Sequence, residues 1–169
     1  MPPWVSFLAL WGGSDKQTTA ASEFEILAPV SGELVHLENT NDPAFSSRAV
    51  GDGVAVVPQE GTVCAPVSGT VAALFPTEHA LGIMSDDSSA QVMLHIGIDT
   101  VKLEGKGFHA LVAQGDHVDA GQPLVEVDFD AVRAAGFDPT VFVIVCERSE
   151  NSTLREHASG PVAVKEPVI

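Results

Sequence analysis

Basic side chains are scarce in this 169-residue sequence: eight Lys and Arg stand against 23 Asp and Glu, for a formal charge of −15, and the eight never cluster. A surface of that sign repels nucleic acid and steers a basic protein partner toward an acidic rim. Only two cysteines occur, Cys64 and Cys146, with no Cys-x-x-Cys spacing. That excludes a disulfide framework and a cysteine-based zinc module, and it suits a reducing cytosol. Long hydrophobic runs are missing too. The apolar start "MPPWVSFLALWGG" is too short to span a bilayer and lacks a basic n-region, so it reads as neither anchor nor signal peptide. Within it Trp4, Phe7, Leu8 and Trp11 keep the spacing of a short amphipathic helix that could lie on a membrane or a partner, and "SDKQTTAAS" reads as linker. Residues 1–22 are therefore set apart as leader and linker from one domain over 23–169.

Tyrosine is absent, and stretches with a helical period are hard to find. Apolar runs of four to eight residues, punctuated by Gly and Pro, fill the chain instead and predict an all-β fold with at most short helical turns. "APVSG" occurs at 28–32 and again, letter for letter, at 65–69, each copy lying between "FEIL" or "TVC" and a strand-like run, "GELVHL" or "GTVAALF". A second resemblance links "VGDGVAVVP" at 50–58 with "QGDHVDAGQPLVEVD" at 114–128. The domain reads as built twice from similar parts, in curled antiparallel sheets that dispose of most strand edges. "FDAVRAAGF" predicts about two turns of helix, "DPTVFVIVCE" a buried strand, and "GPVAVKEPVI" a final strand.

Within "VMLHIGIDT", residues 92–100, alternation puts Leu94, Ile96 and Ile98 on one face and Met93, His95, Gly97 and Asp99 on the other. His95 thus points away from the core, and Gly97 leaves space beside its ring. His79 lies 16 residues earlier in "FPTEHALGI", and a hairpin folded at "SDDSSA" would make the two imidazoles cross-strand or diagonal neighbours. Two neutral imidazoles on an apolar face suit nucleophilic chemistry, one nitrogen attacking while the other ring donates to the arriving charge. For phosphoryl transfer the protein need only hold the ring in line and stabilise the phosphoryl oxygens, a task within reach of the Thr77 hydroxyl or His79 Nε2–H.

The ordered set "APVSGELV", "VGDGVAVVP", "APVSGTV", "FPTEHA", "LHIGIDTVKLEGKGF" and "GDHVDAGQPLVEVD" resembles the glucose-type enzyme IIA of the bacterial phosphoenolpyruvate:sugar phosphotransferase system, from about residue 24 onward. The resemblance implies an antiparallel β-sandwich, or duplicated hybrid motif. It implies a phosphocarrier that takes a phosphoryl group from HPr on His95 Nε2 and passes it to a cysteine of the enzyme IIB domain of a sugar permease. His79 matches the second active-site histidine, Thr77 the threonine of its hydrogen-bonding network, and the Gly97 carbonyl the acceptor that orients His95. Phe45, Phe75, Leu81 and Met93 match an apolar docking face, with Asp42 and Asp99 as partners for arginines; Ile96 is left out because alternation turns it inward. The implied place of work is the cytoplasm, peripheral to the inner membrane face through the permease, and regulated metabolic enzymes or transporters are further candidate partners.

No cofactor is required in this reading, although His79 and His95 could share a zinc with a partner. A zinc hydrolase on a related hybrid fold is an alternative, because His95 and Asp99 keep an His-x-x-x-Asp spacing, but the required His-x-His is missing and no third ligand is evident. A biotinyl or lipoyl carrier is another, since "APVSG" and "GDHVDAGQPLVEV" also resemble those modules, but Lys106 does not sit at the required hairpin tip.

Overall fold

A computed structural model of the protein describes residues 25–59, 61–148 and 158–169; the leader expected at 1–22 lies outside them. Among the described residues eleven strands are present: β1 (Gly32–His36), β2 (Asp52–Pro58), β3 (Thr62–Cys64), β4 (Gly69–Leu74), β5 (Ala80–Ser85), β6 (Ala90–Ile96), β7 (Phe108–Ala110), β8 (His117–Val118), β9 (Pro123–Val127), β10 (Val141–Arg148) and β11 (Gly160–Val162). They form an eight-stranded sheet in the order β11-β1-β2-β10-β6-β5-β4-β8 and a three-stranded sheet β3-β9-β7, every pairing antiparallel. The architecture is the all-β fold expected from the run lengths and the antiparallel β-sandwich implied by the resemblance. Short helical pieces complete it: α1 (Pro43–Ser46), α2 (Phe129–Ala134) and two 3-10 turns at Leu37–Asn39 and Thr100–Leu103.

The duplicated pentapeptide is a duplicated structure. Leu27 N–H donates to the Pro66 carbonyl of the second copy (2.9 Å), and Cys64 N–H donates to the Pro29 carbonyl of the first (2.7 Å). Each copy also receives an equivalent partner segment: Lys165 N and Gly121 N reach the Ala28 and Ala65 carbonyls, while Val164 N and Ala120 N donate to the Ser31 and Ser68 hydroxyls. The Ala-Pro-Val-Ser-Gly sequence recurs because its proline, hydroxyl and carbonyls fill the same bonding pattern twice.

Two expectations need correction. The counterpart of the 114–128 segment is the C-terminal segment, not 50–58. β8 and β11 occupy the two ends of the large sheet, while β2 lies inside it between β1 and β10; Gly-Asp is common turn chemistry and does not identify a repeat. The final strand is also shorter than expected. It stops at Val162, Glu166 N–H turns back to the Ala163 carbonyl around Lys165 (φ 73°), and Pro167 re-enters only through a bridge to Leu27. In its described part "FEIL" likewise forms no full strand: it makes that bridge and backbone bonds such as Ile26 N–H to the Ile169 carbonyl (2.9 Å). Helix α2 forms where expected, with Asp128 accepting from Ala131 N at its N-terminus and Phe129 and Val132 buried.

Alternation divides the large sheet. Its inner residues, among them Leu34, Val54, Val56, Leu81, Ile83, Leu94, Ile96, Val141 and Val143, form the main core with the small sheet. On the other face a second cluster of Leu37, Phe45, Ala55, Phe142 and Ile144 is joined by half-buried Val35, Met93 and Ile98; the inward place expected for Ile98 is a further correction, because β6 ends at Ile96 and Gly97 (φ 80°) breaks the alternation. One row across that outer face runs Ala80, His95, Phe142, Ala55, Val35, each opposite the next.

Candidate functional site

His95 stands at the centre of this outer row, partly exposed, on β6 where β10 and β5 flank it. Its Nδ1 lies 2.8 Å from the Gly97 carbonyl oxygen. A carbonyl only accepts, so the neutral ring carries its proton on Nδ1 and leaves the Nε2 lone pair free. Gly97 has φ +80°, and a Cβ there would sit 2.3 Å from the Thr100 methyl, so glycine is what lets the chain fold back and offer this carbonyl. The Thr100 hydroxyl in turn donates to the Ile96 carbonyl.

His79 reaches the same face by a different route. The β5–β6 hairpin forms around Asp86–Ser89 as the polar turn predicts, but His95 pairs with Ala80, so strict alternation would send His79 inward. His79 precedes the strand, and Glu78 adopts a left-handed φ of 60° just before it, which breaks the alternation. The His79 ring ends edge-on to His95, with centroids 5.1 Å apart and planes at 87°, and is only 3% exposed. Its Nδ1 is 2.6 Å from the Thr77 hydroxyl.

Both rings are held neutral at physiological pH. Burial, followed by the electrostatic effect of His95, pushes the His79 pKa down to about 4. Burial also lowers that of His95; the Gly97 hydrogen bond and the negative charges of Asp42 and Asp99 offset part of this. The cluster is walled by aromatics: Phe45 packs on His95 at 5.2 Å, Phe75 on His79 at 5.5 Å, and Phe142 lies 4.5 Å from Phe45 and 6.3 Å from His95.

The docking residues expected from sequence divide by exposure. Phe75 is 46% exposed and Met93 half-buried on the outer face, whereas Phe45 is almost wholly buried under the rings. Asp42 caps α1 by accepting from Ala44 N (2.9 Å), and Asp99 is exposed at the start of the Thr100–Leu103 turn. Leu81 is a correction: it is fully buried, pairs with Leu94 and packs in the inner core, so a docked partner cannot touch it. Phe142 escaped the sequence reading, although alternation along "VFVIV" would have put it on the His95 face.

With both Nδ1 atoms engaged, only the two Nε2 positions could ligate a metal. Among the described residues no group of three His, Cys, Asp or Glu converges, so a four-coordinate zinc here would need donors from outside these residues.

Comparison with known proteins agrees with this geometry. A family model described as "phosphoenolpyruvate-dependent sugar phosphotransferase system, EIIA 1" matches residues 24–151. The chain belongs to this EIIA family. It is accordingly a phosphotransferase component of the sugar phosphotransferase system. The glucose permease IIA from Mycoplasma capricolum superposes with a TM-score of 0.79 at 34% identity, covering 87% of this chain and 94% of that one. Among curated relatives, a glucose-specific EIICBA component from Streptococcus pneumoniae is 42% identical over 85% of this chain. A beta-glucoside-specific EIIBCA component from Bacillus subtilis is 40% identical over 93%, and an N-acetylglucosamine-specific EIICBA component from Klebsiella pneumoniae 44% over 81%. The chain spans 20%, 26% and 21% of those three proteins' lengths. No helix among the described residues is long and apolar enough to cross a membrane.

Proposed function

We propose that this EIIA domain carries a phosphoryl group on His95 Nε2, taking it from phospho-HPr and giving it to a cysteine of an enzyme IIB domain of a sugar permease. The observation that carries this reading is the fixed Nδ1–H to Gly97 carbonyl bond, which leaves a neutral imidazole with its Nε2 lone pair on a partner-accessible face. The lone pair attacks phosphorus as the bond to the donor breaks; the Gly97 carbonyl then holds Nδ1–H against the charge that develops on the ring. When the Thr77 hydroxyl donates to His79 Nδ1, the His79 proton sits on Nε2, where it can hydrogen-bond a phosphoryl oxygen.

Phe75 and Met93 supply apolar contact for the partners, and Asp42 and Asp99 meet their arginines. Phe45 acts from beneath, supporting His95. The glucose-, beta-glucoside- and N-acetylglucosamine-specific relatives carry EIIB and EIIC in their names, which supports an IIB partner and a site of action at the inner membrane face through the permease. Transfer needs no metal; a zinc on His79 and His95 would require a partner's ligands.

Incubation with phosphoenolpyruvate, enzyme I and HPr should add one acid-labile phosphate, and His95→Gln should abolish it. His79→Gln should still accept phosphate but pass it to IIB far more slowly. Full labelling of the His95→Gln protein would overturn the assignment.

A further inference from the structure

The peptide that orients His95 is itself held from behind. Gly97 supplies its carbonyl to His95 Nδ1–H, and the N–H of the same peptide unit, that of Ile98, donates to the Asp138 carbonyl at 2.9 Å. One residue back, Gly97 N–H donates to the Thr140 carbonyl at 2.8 Å. Both amides flanking Gly97 are therefore pinned by a single three-residue segment, Asp138-Pro139-Thr140, which lies far away in sequence and leads into β10.

That segment is shaped by one carboxylate. Asp138 Oδ1 accepts from Thr140 N at 2.9 Å and from the Thr140 hydroxyl at 2.5 Å, while Oδ2 accepts from Asn41 Nδ2 at 3.1 Å. Burial alone would raise the Asp138 pKa, yet the bonds from Thr140 and Asn41 outweigh it and hold the group ionised. Asn41 adjoins Asp42, the cap of the helix that presents Phe45 to the His95 ring. Hydrogen bonds in such a chain polarise one another, so a carbonyl whose own peptide N–H is engaged is a stronger acceptor.

We propose that Asp138 is a positioning residue for His95, acting through Thr140 and the Gly97–Ile98 peptide to fix the Nδ1–H tautomer that keeps Nε2 open to phosphorus. The proposal rests on His95 as the phosphoryl acceptor, but its first readout needs no phosphate. Long-range proton–nitrogen spectra of the full chain report the tautomer of each histidine ring directly. The wild-type protein should show His95 predominantly as the Nδ1–H form. In Asp138→Ala the Nε2–H population of His95 should rise severalfold and the rate of labelling by phospho-HPr fall roughly tenfold, the lower end of what loss of a partner behind a functional histidine costs.

Asp138→Asn keeps an oxygen for the Thr140 donors and should return both readouts to within about threefold of wild type. An unchanged His95 tautomer in Asp138→Ala overturns the proposal, whatever happens to the rate, since a slower rate alone would mean general damage. If Asp138→Ala does not fold, Thr140→Val, which removes only the hydroxyl bond, takes its place under the same criterion. Failure of wild-type His95 to become labelled, with the tautomer still responding to Asp138, would sink the phosphocarrier reading and leave the positioning role standing.

Discussion

His79 offers a quantitative handle on the site because its environment acts on stability as well as on chemistry. The ring is 3% exposed and its pKa is depressed from 6.5 to about 4. An unfolded chain takes up that proton near the ordinary value, so between the two pKa values the unfolded state binds more protons and stability rises with pH. The contribution is fully present above about pH 6.5 and is lost as pH falls through the folded-state value near 4. A depression of this size corresponds to on the order of 3 kcal/mol, of which roughly 2.5 kcal/mol should be gone by pH 4.5. Urea unfolding of wild type and His79→Gln at pH 8 and pH 4.5 isolates the effect, since carboxylates titrate in both proteins and His95 remains in both. The wild-type stability advantage should shrink by about 2–3 kcal/mol between the two pH values. Parallel pH profiles would refute the reasoning, because they would mean that His79 takes up its proton in the folded protein as readily as in water.

Gly97→Ala should lower stability by about 2–4 kcal/mol, since a φ of +80° strains any side chain and the new methyl would meet the Thr100 methyl at 2.3 Å. The midpoint of thermal unfolding should fall by roughly 5–10 °C, and phosphate acceptance should fall with it. Phe75 and Leu81 should separate cleanly. Phe75→Ala, at a position 46% exposed, should change stability by less than about 1 kcal/mol yet weaken binding to HPr in a titration. Leu81→Ala should cost about 2–5 kcal/mol in urea unfolding and leave HPr affinity of the folded protein unchanged.

What could be read from sequence followed from local periodicity. Alternation alone turned His95 outward and Ile96 inward, and the polar run at 85–90 announced the hairpin that brings β5 beside β6. The apolar spacing of "FDAVRAAGF" announced α2, whose Asp128 cap only the structure shows. Leu81 entered the docking set through the family resemblance alone, and the structure puts it on the inward face with Ile83. Non-local information was out of reach. "VGDG" and "QGDH" look alike because both turn the chain, and only the sheet order reveals which segments are duplicates. Nothing in "GFDPTV" announces that residues 138–140 will lie against 97–98, because that contact is made only when β10 pairs with β6.

The arrangement of the two rings explains why they need not be interchangeable even though both are neutral and in contact. His95 binds a carbonyl, which can only accept, so its tautomer has no freedom while that bond lasts. His79 binds a hydroxyl, which can donate or accept, so its proton can reside on either nitrogen at little cost. A nucleophile benefits from a fixed lone pair on an open face, and His95 is the more accessible of the two. A group that must accommodate an arriving phosphoryl oxygen, and release it when the phosphate moves on, benefits from a partner that can reverse its hydrogen bond. The asymmetry of the Nδ1 partners therefore supports the proposed roles more strongly than the distance between the rings does, and exchanging Thr77 for valine should impair onward transfer more than acceptance.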